Sequence, residues 1–380
     1  MKERFRQINF DQLKGWEQDN HLAAMNTFVN TARRMLERPY RTKGLGISSD
    51  LLTEISGKAL AGSPFSLAEA KVFFEKHFHP CEIITTGNSF AGDDGFVTAY
   101  YEPEVSASRI KTDTYSAPLY ARPDDLVDVS DENRPEGFDN EFRFARRVNS
   151  PSGTKIEEYP DRKAINAGFL KGKELEIAWV KDVVEALFIH IQGSARLRFD
   201  NGETIRVGYA AKSGHPYTAV GKILLERGEL TRENCGMQAI RQWFSSNPDQ
   251  VVSVLNQNRS YIFFDEYTIA NDHDGPVGAA KVNLTPERSL AVDRNLHSYG
   301  TPIWIEASKP FLEGEQPFRK LMIAQDTGSA IIGPLRGDLF LGSGDAAGKL
   351  AGEIRHGVRF VVFVPKNSAK YTANYTESTN

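Results

Sequence analysis

Cysteine is nearly absent: Cys81 and Cys235 are the only two in 380 residues. Two are too few for a zinc cluster or a disulfide framework, though compatible with a single bridge, so they do not decide the redox compartment. No apolar run approaches the ~18 residues of a membrane-spanning helix. The net charge of -4 offers no basic surface for nucleic acid, and neither end carries a block of like charge. Nucleotide-binding glycine loops are also missing. No strand is followed by GxGxxG or a P-loop, and GLGISSD at 44–50 follows no strong strand. There is no GxSxG elbow and no HExxH. His77 and His79 stand two apart, a spacing that does not juxtapose them on a helix, so they read as solvated helix-end residues. The expectation is a protein without metal or cofactor. The first residues, MKERFRQINFDQLKGWEQDNH, are charged throughout and lack a secretory apolar core. Read literally they suggest a cytoplasmic protein; a trimmed form of an exported one is the other reading.

What is present is a globular composition, 40% apolar and 25% charged, long enough for two domains. Its most informative stretch is AQDTGSAIIGPLRGDLFLGSG at 324–344, where Asp326 and Asp338 stand among glycines and apolar residues. One reading places carboxylates at strand ends, held against apolar surface and therefore reluctant to lose their protons. A carboxylic acid protonated near neutral pH is what glycosidic cleavage requires. The other reading is ordinary Asp-Gly turn chemistry.

The chain up to Phe78 reads as largely helical. Leu22, Met25, Phe28, Val29, Ala32, Met35 and Leu36 recur at threes and fours, and a second helix starts at Ser66 with a Ser66/Glu69 capping box and a face of Leu67, Ala70, Phe74 and Phe78. From Gly95 the texture turns to strand, with Thr98 and Tyr100 alternating against Ala99 and Tyr101 before Pro103 interrupts. Residues 106–160 read as long loops around a few strands. A helix through Leu175, Ala178, Trp179, Val183 and Ala186 is followed by a strand from Leu187 that ends at Gln192, Gly193 and Ser194. A hairpin then turns at Asn201-Gly202 in a tight I′ turn. Helical patterns return near 217–226, 231–245 and 248–257, and SYIFF at 260–264 is a strand. The last third, VGAAKVNL, SLAVD, PIWIEA, FRKLMIAQD, DLFLG and VRFVVFVP, predicts six strands of a barrel or sandwich, interrupted by the helical AAGKLAGEIRHG. The tail after Pro365 reads as polar and loose. Tyr100, Tyr101, Tyr209, His215 and Tyr217, several of them close to glycines and Lys212, form the mixture that stacks on sugar faces and hydrogen-bonds hydroxyls, or a set of ordinary packed aromatics.

Several blocks, in order, carry a family likeness: GFVTAYYEPEV at 95–105, IQGSARLRF at 191–199, YAAKSGHPYTAVGK at 209–222, MQAIRQWF at 237–244, VDRNLHSYGTPIWIE at 292–306 and AQDTGSAIIGPLRGDLFLGSGDAAG at 324–348. On these residues the chain resembles membrane-bound lytic murein transglycosylase A, a family of bacterial peptidoglycan-cleaving enzymes with a three-aspartate domain. The resemblance implies a mainly β, α+β fold. A discontinuous double-psi β-barrel of residues 1–105 and 266–380 would carry a β-rich glycan-binding insertion at 106–265, with a groove between them. The three aspartates map onto Asp293, Asp326 and Asp338.

The same resemblance makes Asp338 the catalytic acid and, in a reaction without water, also the base that closes a 1,6-anhydro ring on N-acetylmuramic acid. Asp326 would support it. Asp293 reads as structural, bonding local backbone. Sugar contacts are expected from Thr98, Tyr100, Tyr101, Glu102, Gln192, Tyr209, Lys212, Tyr217 and Asp345. The implied partner is the peptidoglycan glycan strand, not nucleic acid. The implied place is the periplasm, with outer-membrane attachment through a lipid anchor that this chain does not include. Two rival readings stay open at this point: a non-catalytic glycan-binding module, and a hydrolase that pairs Asp338 with Asp326 or Asp345.

Overall fold

A computed structural model describes residues 4–84, 95–139, 142–151, 153–231, 234–269, 271, 274–311 and 316–368. The expected loose tail beyond 368 lies outside the described residues. The chain divides into two compact units: Met1–Tyr101 with His273–Gly342 and Ala346–Asn380, and Glu102–Asp272 with Ser343–Asp345.

The first unit opens with a short strand, β1 (Arg4–Gln7), and three helices, α1 (His21–Glu37), α2 (Ser49–Gly62) and α3 (Leu67–His77). Each start has a local cause. Side-chain oxygens of Asn20, Ser48 and Ser66 accept from Ala23, Leu51 and Glu69 N–H, and Glu69 returns a bond to Ser66 N–H, completing the expected capping box. The buried stripe of α1 holds Met25, Phe28, Val29, Ala32 and Met35. Phe28 packs its ring against Phe73 and Phe74 of α3 and Phe78 at centroid distances of 6.4, 5.9 and 6.2 Å. Two expected core positions are instead exposed: Leu36 at 47%, in the last turn of α1 beside buried Met35, and Leu67 at 53%, in the first turn of α3. Phe78 ends the helical face by starting β2 (Phe78–Ile84).

The remaining strands are β3 (Gly95–Glu102), β4 (Ser289–Val292), β5 (Pro302–Glu306), β6 (Arg319–Asp326), β7 (Arg336–Ser343) and β8 (Arg355–Pro365). Their order is β1-β2-β8-β5-β6-β4-β7-β3, and β3 also pairs with β8. Six strands therefore close on themselves, removing the exposed edges an open sheet would leave. The eleven residues of β8 make this closure feasible: its start pairs with β3, its middle with β5 and its end with β2. β4 and β6 run parallel, whereas the pairs β1–β2, β2–β8, β8–β5, β5–β6, β4–β7 and β8–β3 are antiparallel.

The expected strand VGAAKVNL does not form. Gly278 N–H bonds Val282 O, Lys281 N–H bonds Gly278 O, and Lys281 has a φ of 60°, so the segment folds over itself as a turn. It is tied down by Tyr40, whose hydroxyl donates to Ala280 O at 2.6 Å. Cys81 lies buried in β2 and makes no disulfide.

The second unit holds a four-stranded sheet, in the order Ile262–Thr268, Thr204–Lys212, Ser194–Phe199 and Glu104–Ala107, with one two-stranded and one three-stranded sheet. Here the expected helix and strand exchange places. Glu176–Val180 is a strand paired with Ala117–Tyr120, and Val183–Gln192 is a helix. Asp182 decides the boundary, since its carboxylate accepts from both Val184 and Glu185 N–H, and Gly193 at φ 77° ends the helix. The hairpin at Asn201-Gly202 does form, but as a longer loop: Phe199 N–H bonds Glu203 O, and Gly202 alone takes positive φ, not both residues as a I′ turn requires.

Fully buried Phe28 joins α1, α3 and β2, so Phe28→Ala should cost about 3–5 kcal/mol in denaturant unfolding, whereas Leu36→Ala should stay within about 0.5 kcal/mol.

Candidate active site

Two aspartates fall on one rung of the closed sheet. Ala291 of β4 is the register partner of Asp338 on β7 and of Asp326 on β6. Register partners project to the same face, so both carboxylates point one way, with Cα atoms two strand spacings apart, roughly 9–10 Å. The register shift between Leu290 and Ala291 is what brings Asp326 onto that rung.

Asp338 is half-buried. Burial pushes its carboxyl up to about 6, helped weakly by Asp326 and opposed by Arg336 and by Thr98. Thr98, on the neighbouring β3, donates its hydroxyl hydrogen to Asp338 Oδ1. Arg336 Nη2 donates to the same Thr98 Oγ1 at 2.6 Å.

Asp326 has a different environment. Its Oδ2 accepts from Tyr100 O–H at 2.7 Å and its Oδ1 from Ala279 N–H at 2.9 Å, so the turn that replaced the expected strand supplies one of its donors. Burial raises its proton affinity, while Tyr100, the Ala279 and Thr327 backbone and Lys281 oppose this. Beside it, burial and the Asp326 charge hold the Tyr100 phenol well above its ordinary range. The preceding residue anchors the strand: buried Gln325 donates to Thr31 Oγ1 at 2.7 Å and Thr27 O at 3.1 Å on α1, and accepts from Ser289 Oγ. Asp293 binds local backbone, accepting from Asn295 N–H and Gly333 N–H at 2.9 Å each.

Of the expected sugar contacts, Thr98 and Tyr100 thus join the two aspartates. Tyr101 does not. It points to the opposite face of β3 and packs on Gly348, where an added Cβ would come within 2.7 Å of its ring. Glu102 has no exposed surface. Its carboxylate takes Arg206 Nε at 2.5 Å and Nη2 at 3.0 Å, Arg196 Nε at 3.0 Å and Ser343 Oγ at 2.7 Å, which makes it an internal ion-pair centre unable to reach a sugar. Gln192, Tyr209, Lys212, Tyr217 and Asp345 belong to the second unit. Gln192 ends a helix and not a strand, and its Nε2 lies 3.4 Å from Met237 Sδ. Tyr209 is 42% exposed and Lys212 half-buried on one strand. Half-buried Tyr217 faces the field of buried Arg162, and exposed Asp345 sits in the first turn of a helix, Gly344–Glu353.

Arg336 was not anticipated. Its signal was available: residues two apart on a strand share a face, so Arg336 and Asp338 in LRGD had to be neighbours once the segment was read as a strand. Among the described residues, no group of three or more His, Cys, Asp or Glu is arranged to hold a metal ion.

A carboxyl that titrates near 6 when folded, against an ordinary value of 3.8, binds its proton more tightly in the native state. Its ionisation therefore lowers stability as pH rises through that window, and the penalty is complete above about pH 6. Asp338→Asn should stabilise the protein by about 1–3 kcal/mol at pH 7.5 and leave it nearly unchanged at pH 3.5, as read by denaturant unfolding at the two pH values.

Residues 96–265 match the family model of the MltA specific insert domain, and residues 288–364 that of the 3D domain. Membrane-bound lytic murein transglycosylase A of Escherichia coli K12 is 30% identical over 267 residues, which are 68% of this chain and 62% of that protein. A Buchnera aphidicola homolog is matched over 63% of its length, so the chain spans somewhat under two thirds of these curated relatives. Among solved structures, a membrane-bound lytic murein transglycosylase from Agrobacterium tumefaciens is 43% identical with a TM-score of 0.86, over 96% of this chain and 99% of that one. MltA from Neisseria gonorrhoeae is 29% identical with a TM-score of 0.77, over 97% and 94%. Escherichia coli MltA with bound chitohexaose is alike in fold, with a TM-score of 0.62 at 24% identity over 90% of each chain. By its matched domains and its likeness to these proteins, the chain belongs to the membrane-bound lytic murein transglycosylase A family.

Proposed function

We propose that the chain is a lytic transglycosylase that cleaves the β-1,4 bond between N-acetylmuramic acid and N-acetylglucosamine in peptidoglycan without water. The observation that carries this reading is the inequality of the two aspartates. Asp338 is a half-buried acid poised near neutral pH, whereas Asp326 has donors on both oxygens. A hydrolase needs a second carboxylate to act as nucleophile or to activate water. Asp326, held by a phenol and a backbone amide, is a poor candidate for that task and a good one for fixing the site and balancing positive charge.

The reaction then runs through one residue. Asp338 gives its proton to the glycosidic oxygen as the C1–O bond breaks, and N-acetylglucosamine leaves carrying that proton on its hydroxyl. Positive charge develops at C1 of the muramic residue. Asp338, now a carboxylate, takes the proton of the C6 hydroxyl while O6 bonds to C1, which closes the 1,6-anhydro ring and restores the acid. An acid of pKa near 6 suits this double duty, since a stronger acid would be a weaker base in the second step.

The closed ring of six strands supports reading the first unit as a double-psi β-barrel, with the insertion supplying sugar contacts through Gln192, Tyr209, Lys212 and Tyr217. The boundaries 1–105 with 266–380, and 106–265, follow from that reading. Relatives named as membrane-bound support reading the chain as one that acts at a membrane, in the periplasm and attached to the outer membrane. Among the described residues no helix is long and apolar enough to cross a membrane.

Digestion of purified peptidoglycan followed by mass analysis of the muropeptides tests the reaction. The expected products are lighter by one water than hydrolytic ones, and Asp338→Asn should lower turnover by at least about 100-fold. Hydrated products would mean a hydrolase; binding without release would mean a glycan-binding module.

A further inference from the structure

We infer that Arg336 and Thr98 are positioning residues that assign the working proton to one oxygen of Asp338. Arg336 fixes the Thr98 hydroxyl as a donor to Oδ1, and Oδ2 is left to give the first proton and take the second. This inference rests on the reading of Asp338 as both acid and base.

Hydrogen-bond direction decides which oxygen carries the proton. A guanidinium has donors only and stays charged, so the 2.6 Å bond from Arg336 Nη2 to Thr98 Oγ1 runs one way. A hydroxyl has a single hydrogen, and with Arg336 donating into its oxygen, that hydrogen is directed to Asp338 Oδ1. The hydroxyl oxygen keeps a second lone pair, but a proton on Oδ1 aimed at it would meet the Thr98 hydrogen head-on or force that hydrogen to turn away and give up its bond to the carboxyl. Oδ1 is therefore an acceptor in both protonation states, and the acid proton resides on Oδ2. The arrangement does not have to reorganise between proton delivery and proton removal, which is the condition for a preorganised site.

Arg336 is itself held in place. Its Nη1 donates to Gly337 O, and its guanidinium lies 5.3 Å from the Phe96 ring centroid. Arg336 and Asp338 share a face of β7, and the Thr98 hydroxyl bridges them from β3. The charge thus acts on Asp338 from the Oδ1 side, away from the oxygen that meets the sugar. The other groups facing Asp338 are Tyr100 from β3 and Asp326 from β6, which repels a second negative charge. From β4 comes apolar Ala291, and Arg355 on β8, the register partner of Thr98, acts on Arg336.

The test is the pH–rate profile for release of anhydro products from purified glycan strands by the full chain and four variants, each checked for an intact melting transition. Thr98→Val should lower kcat about 10- to 100-fold with KM within about twofold, and Thr98→Ser should recover most of it. Arg336→Gln should lower kcat and move the alkaline limb up by about one pH unit, because a cation favouring the carboxylate is gone. Arg336→Lys should hold the limb near its original place without restoring kcat, since an ammonium keeps the charge but not the planar fork. An unmoved limb in Arg336→Gln together with wild-type kcat in Thr98→Val would overturn the inference. If Thr98→Val does not fold, wild-type kcat in Arg336→Gln with an unmoved limb is sufficient to overturn it. Failure of the underlying reading is separately visible, because the wild-type chain would then release hydrated products or none.

Discussion

Burial and a neighbouring guanidinium pull the proton affinity of Asp338 in opposite directions, and the site is organised around the balance between them. Desolvation alone would raise the carboxyl until it was a sluggish acid; the Arg336 charge alone would leave it ionised and unable to protonate a leaving group. The closed sheet supplies the burial, since Asp338 lies on a strand flanked by β4 and β3, with Leu339 and Phe340 fully buried after it. The alternation of β7 supplies the guanidinium from two residues away.

The same sheet gives the second aspartate different surroundings. Asp326 shares the rung of Asp338 but stands at the end of β6, where the turn of residues 277–284 folds over it and offers Ala279 N–H. The strand behind it is pinned to α1 by Gln325, Thr27 and Thr31, a buried polar group in which both ends of the Gln325 amide find partners. Rigid placement of this kind is what a site needs when one carboxyl must serve two successive proton transfers.

Much of this was legible in the residues. The capping box at Ser66 and Glu69, the helical stripe of α1 and five of the six strands expected in the last third follow from local pattern, because caps and periodicity are properties of neighbours in sequence. The failures have long-range causes. VGAAKVNL has apolar residues enough for a strand, yet its backbone bonds go to its own turn, to Gln325 and to Asp326. The exchange of helix and strand around Asp182 shows a short apolar run read with the wrong period, with the cap as the overlooked marker. Glu102 looked available beside Tyr100 and Tyr101, but its arginine partners are 94 and 104 residues away in the chain, beyond any local pattern. Arg336 becomes legible only once the strand is extended back to its true start at residue 336, two positions before the acid and on the same face.

Ring closure by one carboxylate without water would leave an isotopic signature, read by cleaving purified peptidoglycan in heavy-oxygen water and analysing the muramic ends by mass spectrometry. Anhydromuramic ends that carry no heavy oxygen are expected, because the new bond at C1 comes from the sugar's own O6. Heavy oxygen at C1 of the muramic ends in the primary products would contradict it, for water would then be the nucleophile and a second base would have to be found.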